Sequence, residues 1–194
     1  MGRPRLLIIT GTSGVGKSTL TSKVASSLGF CKVAATDTVR EVLRTQFDAV
    51  QEPALHRSSF EPAGSGAIED WHATVAVLSE GVSAIIGRAL GKEGDLLLEG
   101  VHVIPGSEVM EAWRAAGGTA CGVVLNVPDE EGHMEMILRR EHHNGRAASH
   151  YLGNLDRIRA IQDEMVSNAE ASGWIVFDVT ADEDPIGRIE GGLV

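Results

Sequence analysis

The chain reads Arg5-Leu6-Leu7-Ile8-Ile9-Thr10 and then Gly11-Thr12-Ser13-Gly14-Val15-Gly16-Lys17-Ser18-Thr19. A short apolar run is thus followed by a G-x-x-x-x-G-K-S loop and by a helical pattern, which is the context that a phosphate-binding P-loop requires. Glycines let successive backbone N–H groups turn towards phosphate oxygens, and the helix beginning near Lys17 adds the positive end of its dipole. Lys17 is placed to reach the β- and γ-phosphates, and the Ser18 hydroxyl to ligate Mg²⁺. Residues 11–19 therefore predict a nucleoside triphosphate site, with ATP and Mg²⁺ bound.

Length and composition bound the class of protein. The 194 residues are 43% hydrophobic and 23% charged, which is typical of one soluble globular domain, residues 1–194. A net charge of −10 argues against a nucleic-acid-binding surface, which needs an excess of Lys and Arg. Cys31 and Cys121 lack metal-ligand spacing, no room precedes the P-loop for a signal peptide, and no apolar run reaches the roughly 20 residues of a membrane span. We expect a cytoplasmic protein without a membrane or nucleic-acid partner.

Strands and helices are predicted to alternate along the rest of the chain. Apolar runs typical of buried strands lie at 32–37, 95–102, 121–127 and 174–179, with helical patterns between them. An apolar stripe from Ile68 to Ala89 predicts one continuous helix of about 20 to 24 residues. This helix packs on the sheet or, alternatively, forms a seam between two copies, so a monomer or a homodimer is expected. The alternation predicts an α/β fold, a three-layer sandwich around a parallel sheet.

Two segments break the regular pattern and are candidates for function. Residues 48–66 lose helical periodicity and contain two prolines, so we interpret them as an irregular excursion that binds the acceptor substrate. Residues 129–150 contain a break between two helical stretches, at 129–142 and 148–171, and are interpreted as a helical lid. Arg139, Arg140 and Arg146 lie on either side of that break, where guanidinium groups can meet the transferring phosphoryl group and ATP. The alternative for each arginine is a solvated surface charge.

Two acids follow predicted strands and are candidates for catalysis and metal binding. Asp37 ends the second strand, with Thr38 as the expected N-cap of the next helix. Because ligands of open α/β sheets bind beyond the carboxyl ends of the strands, Asp37 is expected beside the P-loop. There it can accept the proton of the attacking hydroxyl, bind the substrate or help to hold Mg²⁺. Glu99 ends the Leu96–Leu98 run in the manner of a Walker B acid near the metal and substrate. The alternatives are a helix N-cap for Asp37 and a surface acid for Glu99.

A protein with a net charge of −10 needs local positive charge to hold an anionic substrate. Arg40 and Arg44 lie one turn apart on the helix after Asp37, where the alternative is a solvated helix face. Basic side chains in the excursion and after Glu99 complete the predicted acceptor-binding set, which is Arg40, Arg44, His56, Arg57 and His102.

Several classes of P-loop protein remain open from these residues. A GTPase usually carries Asn-Lys-x-Asp after a late strand, but the nearest segment here, Asn126-Val127-Pro128-Asp129, lacks the Lys. A mechanical ATPase is normally larger. A small chain with an acid after its second strand favours a small-molecule kinase. The alternatives are a kinase for another metabolite, an antibiotic or a nucleotide-sugar, and a nucleotide-binding regulator.

Three further segments resemble the 2-phosphoglycerate kinase family. They are Thr36-Asp37-Thr38-Val39-Arg40-Glu41-Val42-Leu43-Arg44, Leu55-His56-Arg57-Ser58-Ser59-Phe60 and Glu99-Gly100-Val101-His102-Val103-Ile104-Pro105-Gly106. Tyr151-Leu152 and Ile158-Arg159-Ala160-Ile161-Gln162 are also similar. The resemblance implies a nucleoside-monophosphate-kinase-like fold and ATP-dependent phosphorylation of the free hydroxyl of 2-phosphoglycerate, giving 2,3-bisphosphoglycerate and ADP. In one departure, Met136 stands where members of the family tend to carry Arg, and Arg139 is the neighbour placed to compensate.

Overall fold

A central sheet of five parallel strands organises the computed structural model, which describes residues 2–144 and 148–194. The strands are β1 (Arg5–Thr10), β2 (Val33–Ala35), β3 (Leu96–Glu99), β4 (Thr119–Asn126) and β5 (Ile175–Asp178). Their order across the sheet is β2-β3-β1-β4-β5. Strand β1 pairs with β3 in the register Ile9↔Glu99 and with β4 in the register Ile9↔Val123, so the segments after β1 and β3 leave the sheet side by side.

Nine α-helices and one short 3₁₀ helix, at Pro53–His56, connect these strands in the described part of the chain. The α-helices are α1 (Lys17–Leu28), α2 (Thr36–Arg44), α3 (Ala67–Ala76), α4 (Ser79–Leu90), α5 (Glu108–Ala115), α6 (Glu130–Asn144), α7 (Ser149–Leu152), α8 (Leu155–Ser172) and α9 (Pro185–Gly192). The predicted strands and most predicted helices are therefore present, with boundaries that differ by a few residues.

Two hydrophobic cores lie on opposite faces of the sheet. Successive residues of a strand point to opposite faces, so Leu6 and Ile8 pack with α3, α5 and α8, whereas Leu7 and Ile9 pack with α1 and α9. All four side chains are completely buried, as expected for parallel strands covered on both faces. The predicted three-layer α/β sandwich is confirmed.

The predicted continuous helix through 68–89 is wrong. The chain forms α3 and α4 instead, and their axes differ by 51°. The Ser79 hydroxyl donates to the Ala76 carbonyl at 2.8 Å and closes the end of α3, while Leu78 at the bend is completely buried. Apolar spacing reports which side of a helix faces the core, and a bend that keeps that side inward leaves the spacing unchanged.

The predicted helix at 148–171 is also divided, because Gly153 and Asn154 separate α7 from α8. Within the described residues, no single helix is both long enough and apolar enough to cross a bilayer. The bent pair of α3 and α4 has that length and hydropathy only when its two helices are taken together.

All three tryptophans are buried and donate their indole N–H groups to backbone carbonyls. Trp71 on α3 donates to Val101 at 2.9 Å, and Trp174 before β5 donates to Gly106 at 2.9 Å. These two bonds hold both ends of the loop after β3. The third indole, of Trp113 on α5, donates to Pro4 at 3.0 Å at the other end of the sheet.

Candidate active site

The loop between β1 and α1 curls at glycines, as its sequence predicts. Gly14 has a φ of 89°, in the left-handed region, and a Cβ added there would lie 2.5 Å from Ile137 Cγ1 of α6. This close approach lets α6 cover the loop. Helix α1 begins at Lys17 without a side-chain cap, so the orphan N–H groups of its first turn are directed at the space that a phosphate would occupy.

Helix α6 holds the P-loop through a histidine whose role the sequence analysis missed. His133 is completely buried, and its Nε2 donates to the Ser13 carbonyl at 2.9 Å. Burial lowers the pKa of His133, which keeps the ring neutral. The sequence feature that could have revealed this role is the position of His133, a polar residue on the inward side of an amphipathic helix.

Lys17 is a partly buried positive charge in the wall of the cleft, and it interacts with several charged side chains. Its Nζ donates to the Thr12 carbonyl at 2.8 Å, so the ammonium is folded back over the loop. Burial lowers the pKa of Lys17 to about 8, and the charges of Glu99 and Asp37 partly oppose that shift. A desolvated ammonium above a glycine-rich loop fits a polyphosphate. The negative charge of the phosphates would stabilise the charged form of the lysine, which burial disfavours.

The two predicted acids flank this lysine. Glu99 ends β3 and is half-buried, and burial raises its pKa while Lys17 opposes the shift. Asp37 lies in the first turn of α2, because the helix begins at Thr36 and β2 ends at Ala35. The expectation that Asp37 ends the second strand and that Thr38 caps the helix is therefore wrong. The side chain of Asp37 is 70% exposed, and its charge acts on Lys17.

His102 is buried behind Asp37. Its Nδ1 shares a hydrogen bond of 3.1 Å with the Thr36 hydroxyl and lies 3.6 Å from Asp37 Oδ1. Burial lowers the pKa of His102 to about 4, against the attraction of Asp37. The imidazole is therefore neutral at pH 7, and its contact with Asp37 is a polar contact between a neutral ring and a carboxylate.

Lowering the pH should destabilise the protein through His102. The unfolded chain binds a proton near pH 6.5, whereas the folded chain binds it near pH 4. Between these values the unfolded state holds more protons, so the free energy of unfolding should fall by about 1.4 kcal/mol per pH unit. Urea denaturation of the wild type and of His102→Gln at pH 7.5 and pH 5 measures this effect. The wild type should lose more stability than the variant, and an equal loss in both would contradict the assignment.

Gly100 allows Thr36 to approach the loop after β3. Its φ is 143°, and a Cβ added there would overlap the Thr36 hydroxyl. Gly100→Ala should therefore lower the free energy of unfolding by about 3 kcal/mol through overlap and backbone strain. Gly117→Ala is the matched control, since Gly117 also has positive φ but open space around it. Urea denaturation that gives equal losses for the two variants would show that the contact with Thr36 is unimportant.

Arg139 and Arg140 lie across the cleft from the P-loop. The cleft has a volume of about 500 Å³ and is lined by Gly14, Gly16, Lys17, Ser18, Thr19, Met136, Arg139 and Arg140. Arg140 is partly fixed, because its Nε donates to the buried carboxylate of Glu141 at 2.7 Å. Met136 lines this cleft at the position where the resemblance leads one to expect Arg. Arg146 lies outside the described residues.

The cations predicted to bind the acceptor have described contacts that shape the excursion. Arg40 donates from Nε to the Leu55 carbonyl at 2.8 Å and from Nη2 to the Arg57 carbonyl at 2.7 Å. Arg57 donates to the carbonyls of Glu61 and Asp70 at 3.2 and 2.6 Å. Two other members of the predicted set also have protein partners, since the His56 ring contacts the Phe47 carbonyl and Arg44 pairs with Glu41. Their contact with a substrate stays a prediction.

Arg157 of α8 is a further anchor that the sequence analysis missed. Its guanidinium pairs with Asp70 at 2.6 Å and donates to the carbonyls of Phe60 and Gly66 at 2.8 and 3.1 Å. The Ala63 N–H and Arg157 together hold the pKa of Asp70 below its usual value. Asp70 is 3% exposed, and a buried carboxylate in a predicted core helix is a signal that a cationic partner exists. The end of the excursion is thus fixed to α3 and α8.

A second cleft, which the sequence analysis also missed, adjoins the P-loop on its other side. It has a volume of about 510 Å³ and lies between α1 and the segment after β5. Its lining includes Lys23 of α1 and Phe177 of β5, with Asp178, Asp182 and Glu183 at the rim. The signal was the run of acids directly after the last strand, at the carboxyl edge of the sheet where ligands bind.

The residues fit ATP with Mg²⁺. Mg²⁺ in kinase sites takes most of its ligands from phosphates and water and few from the protein. Ser18 lines the phosphate cleft, and the carboxylates of Glu99 and Asp37 interact electrostatically with Lys17 in its wall. No cluster of three or more His, Cys, Asp or Glu side chains that could hold a metal ion occurs within residues 2–144 and 148–194.

Comparison with known families identifies the domain. A family model described as an AAA domain matches residues 7–156, from β1 into the first turn of α8. The chain belongs to this AAA-domain family. The matched range contains the P-loop, both candidate acids and Arg139 and Arg140.

Curated relatives confirm the resemblance found in the sequence motifs. The 2-phosphoglycerate kinase of Pyrococcus horikoshii is 29% identical over 96% of this chain and 63% of its own length. The 2-phosphoglycerate kinases of Methanocaldococcus jannaschii and Methanopyrus kandleri are 29% and 31% identical, over 91% and 86% of this chain and 59% and 54% of their own lengths. The chain therefore spans somewhat more than half the length of these relatives.

Solved structures confirm the fold. A gluconokinase from Sinorhizobium meliloti 1021 superposes with a TM-score of 0.52 and 18% identity, covering 100% of this chain and 91% of that chain. A shikimate kinase from Bacteroides thetaiotaomicron gives a TM-score of 0.52 and 16% identity, covering 99% and 95%. The predicted P-loop kinase fold is thus shared with proteins of distant sequence.

Proposed function

We propose that this chain is an ATP-dependent kinase that phosphorylates the free hydroxyl of 2-phosphoglycerate, giving 2,3-bisphosphoglycerate and ADP. The observation that carries the proposal is that Lys17 lines one cleft with Arg139 and Arg140 and interacts electrostatically with the carboxylates of Glu99 and Asp37. The names of the curated relatives support the choice of acceptor.

On the nucleotide side, the P-loop N–H groups and Lys17 bind the phosphates. Arg139 and Arg140 face them from α6 and stabilise the charge that spreads over the transferring group. Ser18 and Glu99 would hold Mg²⁺, which supplies charge neutralisation of the phosphate oxygens. The second cleft beside α1 receives the base, where Met136, Val179 and Ile186 offer apolar contacts.

On the acceptor side, Asp37 accepts the proton of the attacking hydroxyl. As that proton leaves, the hydroxyl oxygen bonds to the γ-phosphorus and the bond from this phosphorus to the β–γ bridging oxygen breaks, so ADP departs. His102, neutral and buried, supports Asp37 from behind. Arg40 holds the excursion against α2 and Arg57 holds it against α3, so that the excursion closes the acceptor side of the cleft.

A second candidate is a kinase of the same type for a less anionic hydroxy acid. The observation that favours it is that the predicted acceptor cations Arg40 and Arg57 donate to backbone carbonyls. Each such bond occupies part of a guanidinium that would otherwise face an anion.

Product analysis separates these candidates. The purified protein is incubated with ATP, Mg²⁺ and, separately, 2-phosphoglycerate, 3-phosphoglycerate, glycerate, gluconate and shikimate, and products are identified by ³¹P NMR and mass spectrometry. We expect 2,3-bisphosphoglycerate and stoichiometric ADP with 2-phosphoglycerate. Turnover with glycerate or gluconate alone would favour the second candidate. Tight ATP binding without transfer to any acceptor would contradict both and favour a nucleotide-binding regulator.

A further inference from the structure

Tyr151 of α7 lies between the phosphate cleft and the acceptor excursion. The guanidinium carbon of Arg140 lies 4.9 Å from the centre of the Tyr151 ring, within the range of a cation–π contact. The Nε of the same guanidinium donates to Glu141, whose side chain is completely buried. Arg140 is therefore fixed at one edge and on one face, and both contacts aim it at the cleft that it lines with Lys17.

The Tyr151 ring also contacts the excursion. Phe60 lies 5.4 Å from it, ring centre to ring centre, at an interplanar angle of 48°. Phe60 is 3% exposed, and its carbonyl accepts the bond from Arg157, so this ring has a rigid support. Neighbouring His150 repeats the connection, since its ring lies 5.2 Å from Phe60 and its Nε2 lies 3.6 Å from Glu61 Oε1.

We propose that Tyr151 is a positioning residue that holds Arg140 at the transferring phosphoryl group and links it to the acceptor excursion through Phe60. This role rests on the proposed kinase function. A displaced excursion moves Phe60, the aromatic ring follows because the two rings pack together, and the guanidinium loses the face on which it rests. Arg140 therefore takes its working position only when the acceptor side of the cleft is correctly folded.

The first test is nucleotide selectivity, which needs no acceptor. Isothermal titration calorimetry gives the affinities for ATP and ADP in the wild type, Tyr151→Leu, Tyr151→Phe and Phe60→Leu. Because Arg140 faces the phosphates, Tyr151→Leu should lower the preference for ATP over ADP about fivefold, the size of a partly buried cation–π contact. Tyr151→Phe keeps the ring face and should keep the preference. Phe60→Leu should reproduce part of the loss.

The matched control is Phe30→Leu. Phe30 also lies under an arginine, with Arg5 Cζ 4.5 Å from its ring centre, but it is beyond the amino end of the sheet's central strand and remote from the P-loop. This variant loses the same kind of contact and should keep the nucleotide preference. A general effect of weakened packing would lower the preference in both Phe30→Leu and Tyr151→Leu and would overturn the proposal.

The second test is turnover with 2-phosphoglycerate, with kcat and KM measured separately. Tyr151→Leu should lower kcat about fivefold with KM for the acceptor little changed, and Tyr151→Phe should restore kcat. If kcat falls as much in Tyr151→Phe as in Tyr151→Leu, the effect comes from the hydroxyl and the proposal is overturned. The proposal is also overturned if Tyr151→Leu changes neither the preference for ATP over ADP nor kcat. If the wild type makes no product but Tyr151→Leu still lowers the ATP preference, the kinase assignment fails and the positioning role stands.

Discussion

Lys17→Ala should abolish phosphoryl transfer while the protein stays folded. Lys17 supplies the positive charge closest to the P-loop, and burial has already weakened its solvation, as its pKa of about 8 shows. Removing the charge leaves the developing negative charge on the phosphates without its main partner. We expect a loss of about 10³-fold or more in kcat, equivalent to roughly 4 kcal/mol of transition-state stabilisation. Steady-state assay of ADP and phosphorylated product measures it.

Lys92→Ala is the control for this experiment. Lys92 is exposed in the turn between α4 and β3, so its removal changes net charge by the same amount without touching the cleft. Circular dichroism and urea denaturation should show both variants folded. If Lys17→Ala retains near-normal turnover, the P-loop binds nucleotide without contributing to the reaction.

Asp37→Asn should reduce kcat far more than it reduces ATP affinity. The amide keeps the shape of the side chain but cannot accept a proton, and general-base catalysis is worth about 10²- to 10⁴-fold. Because the side chain is 70% exposed and the proposed phosphate contacts come from the P-loop, the dissociation constant for ATP should change less than about twofold. Calorimetry for binding and single-turnover kinetics for chemistry separate the two effects.

Glu41→Gln is the matched control, because Glu41 lies one turn further along α2, is exposed and pairs only with Arg44 among the contacts described for it. It should leave kcat unchanged. A variant Asp37→Asn that binds ATP poorly but turns over bound ATP at the normal rate would remove Asp37 from the catalytic residues and make it a ligand of the nucleotide–metal complex.

The sequence predicts most of the fold because its strongest signals are local. A glycine-rich loop between an apolar run and a helix fixes β1 and α1, and continuous apolar runs mark strands that are buried on both faces. Bends between helices are harder to predict from the sequence. The side chains of Val77 and Leu78 continue the apolar spacing while the backbone bends between α3 and α4. The predicted start of α2 is wrong because Ala35 caps the helix without a side-chain bond, while the residues of typical capping types, Thr36, Asp37 and Thr38, lie inside it.

The site was harder to predict than the fold because sequence shows which charges exist but hides their partners. Lys17, Glu99 and Asp37 come together as expected, since the carboxyl ends of parallel strands share one edge. From the sequence, Arg40 and Arg57 are simply positive charges that could bind an anion. In the structure they donate hydrogen bonds to backbone carbonyls 15 and 13 residues further along the chain. Such contacts depend on how the excursion folds back, which no local pattern encodes.

The two indoles at the ends of the loop after β3 make that loop optically visible. Trp71 and Trp174 each bond to one end of it, so a ligand that displaces His102 changes the surroundings of both rings, whereas Trp113 rests against Pro4 at the far end of the sheet. The intrinsic fluorescence of Trp71 and Trp174 therefore reports on this loop, and that of Trp113 serves as an internal reference. Replacing Trp113 with Phe would leave emission only from the two indoles that bond to this loop, and stopped-flow mixing with each substrate would then measure the rate of loop movement without an attached dye.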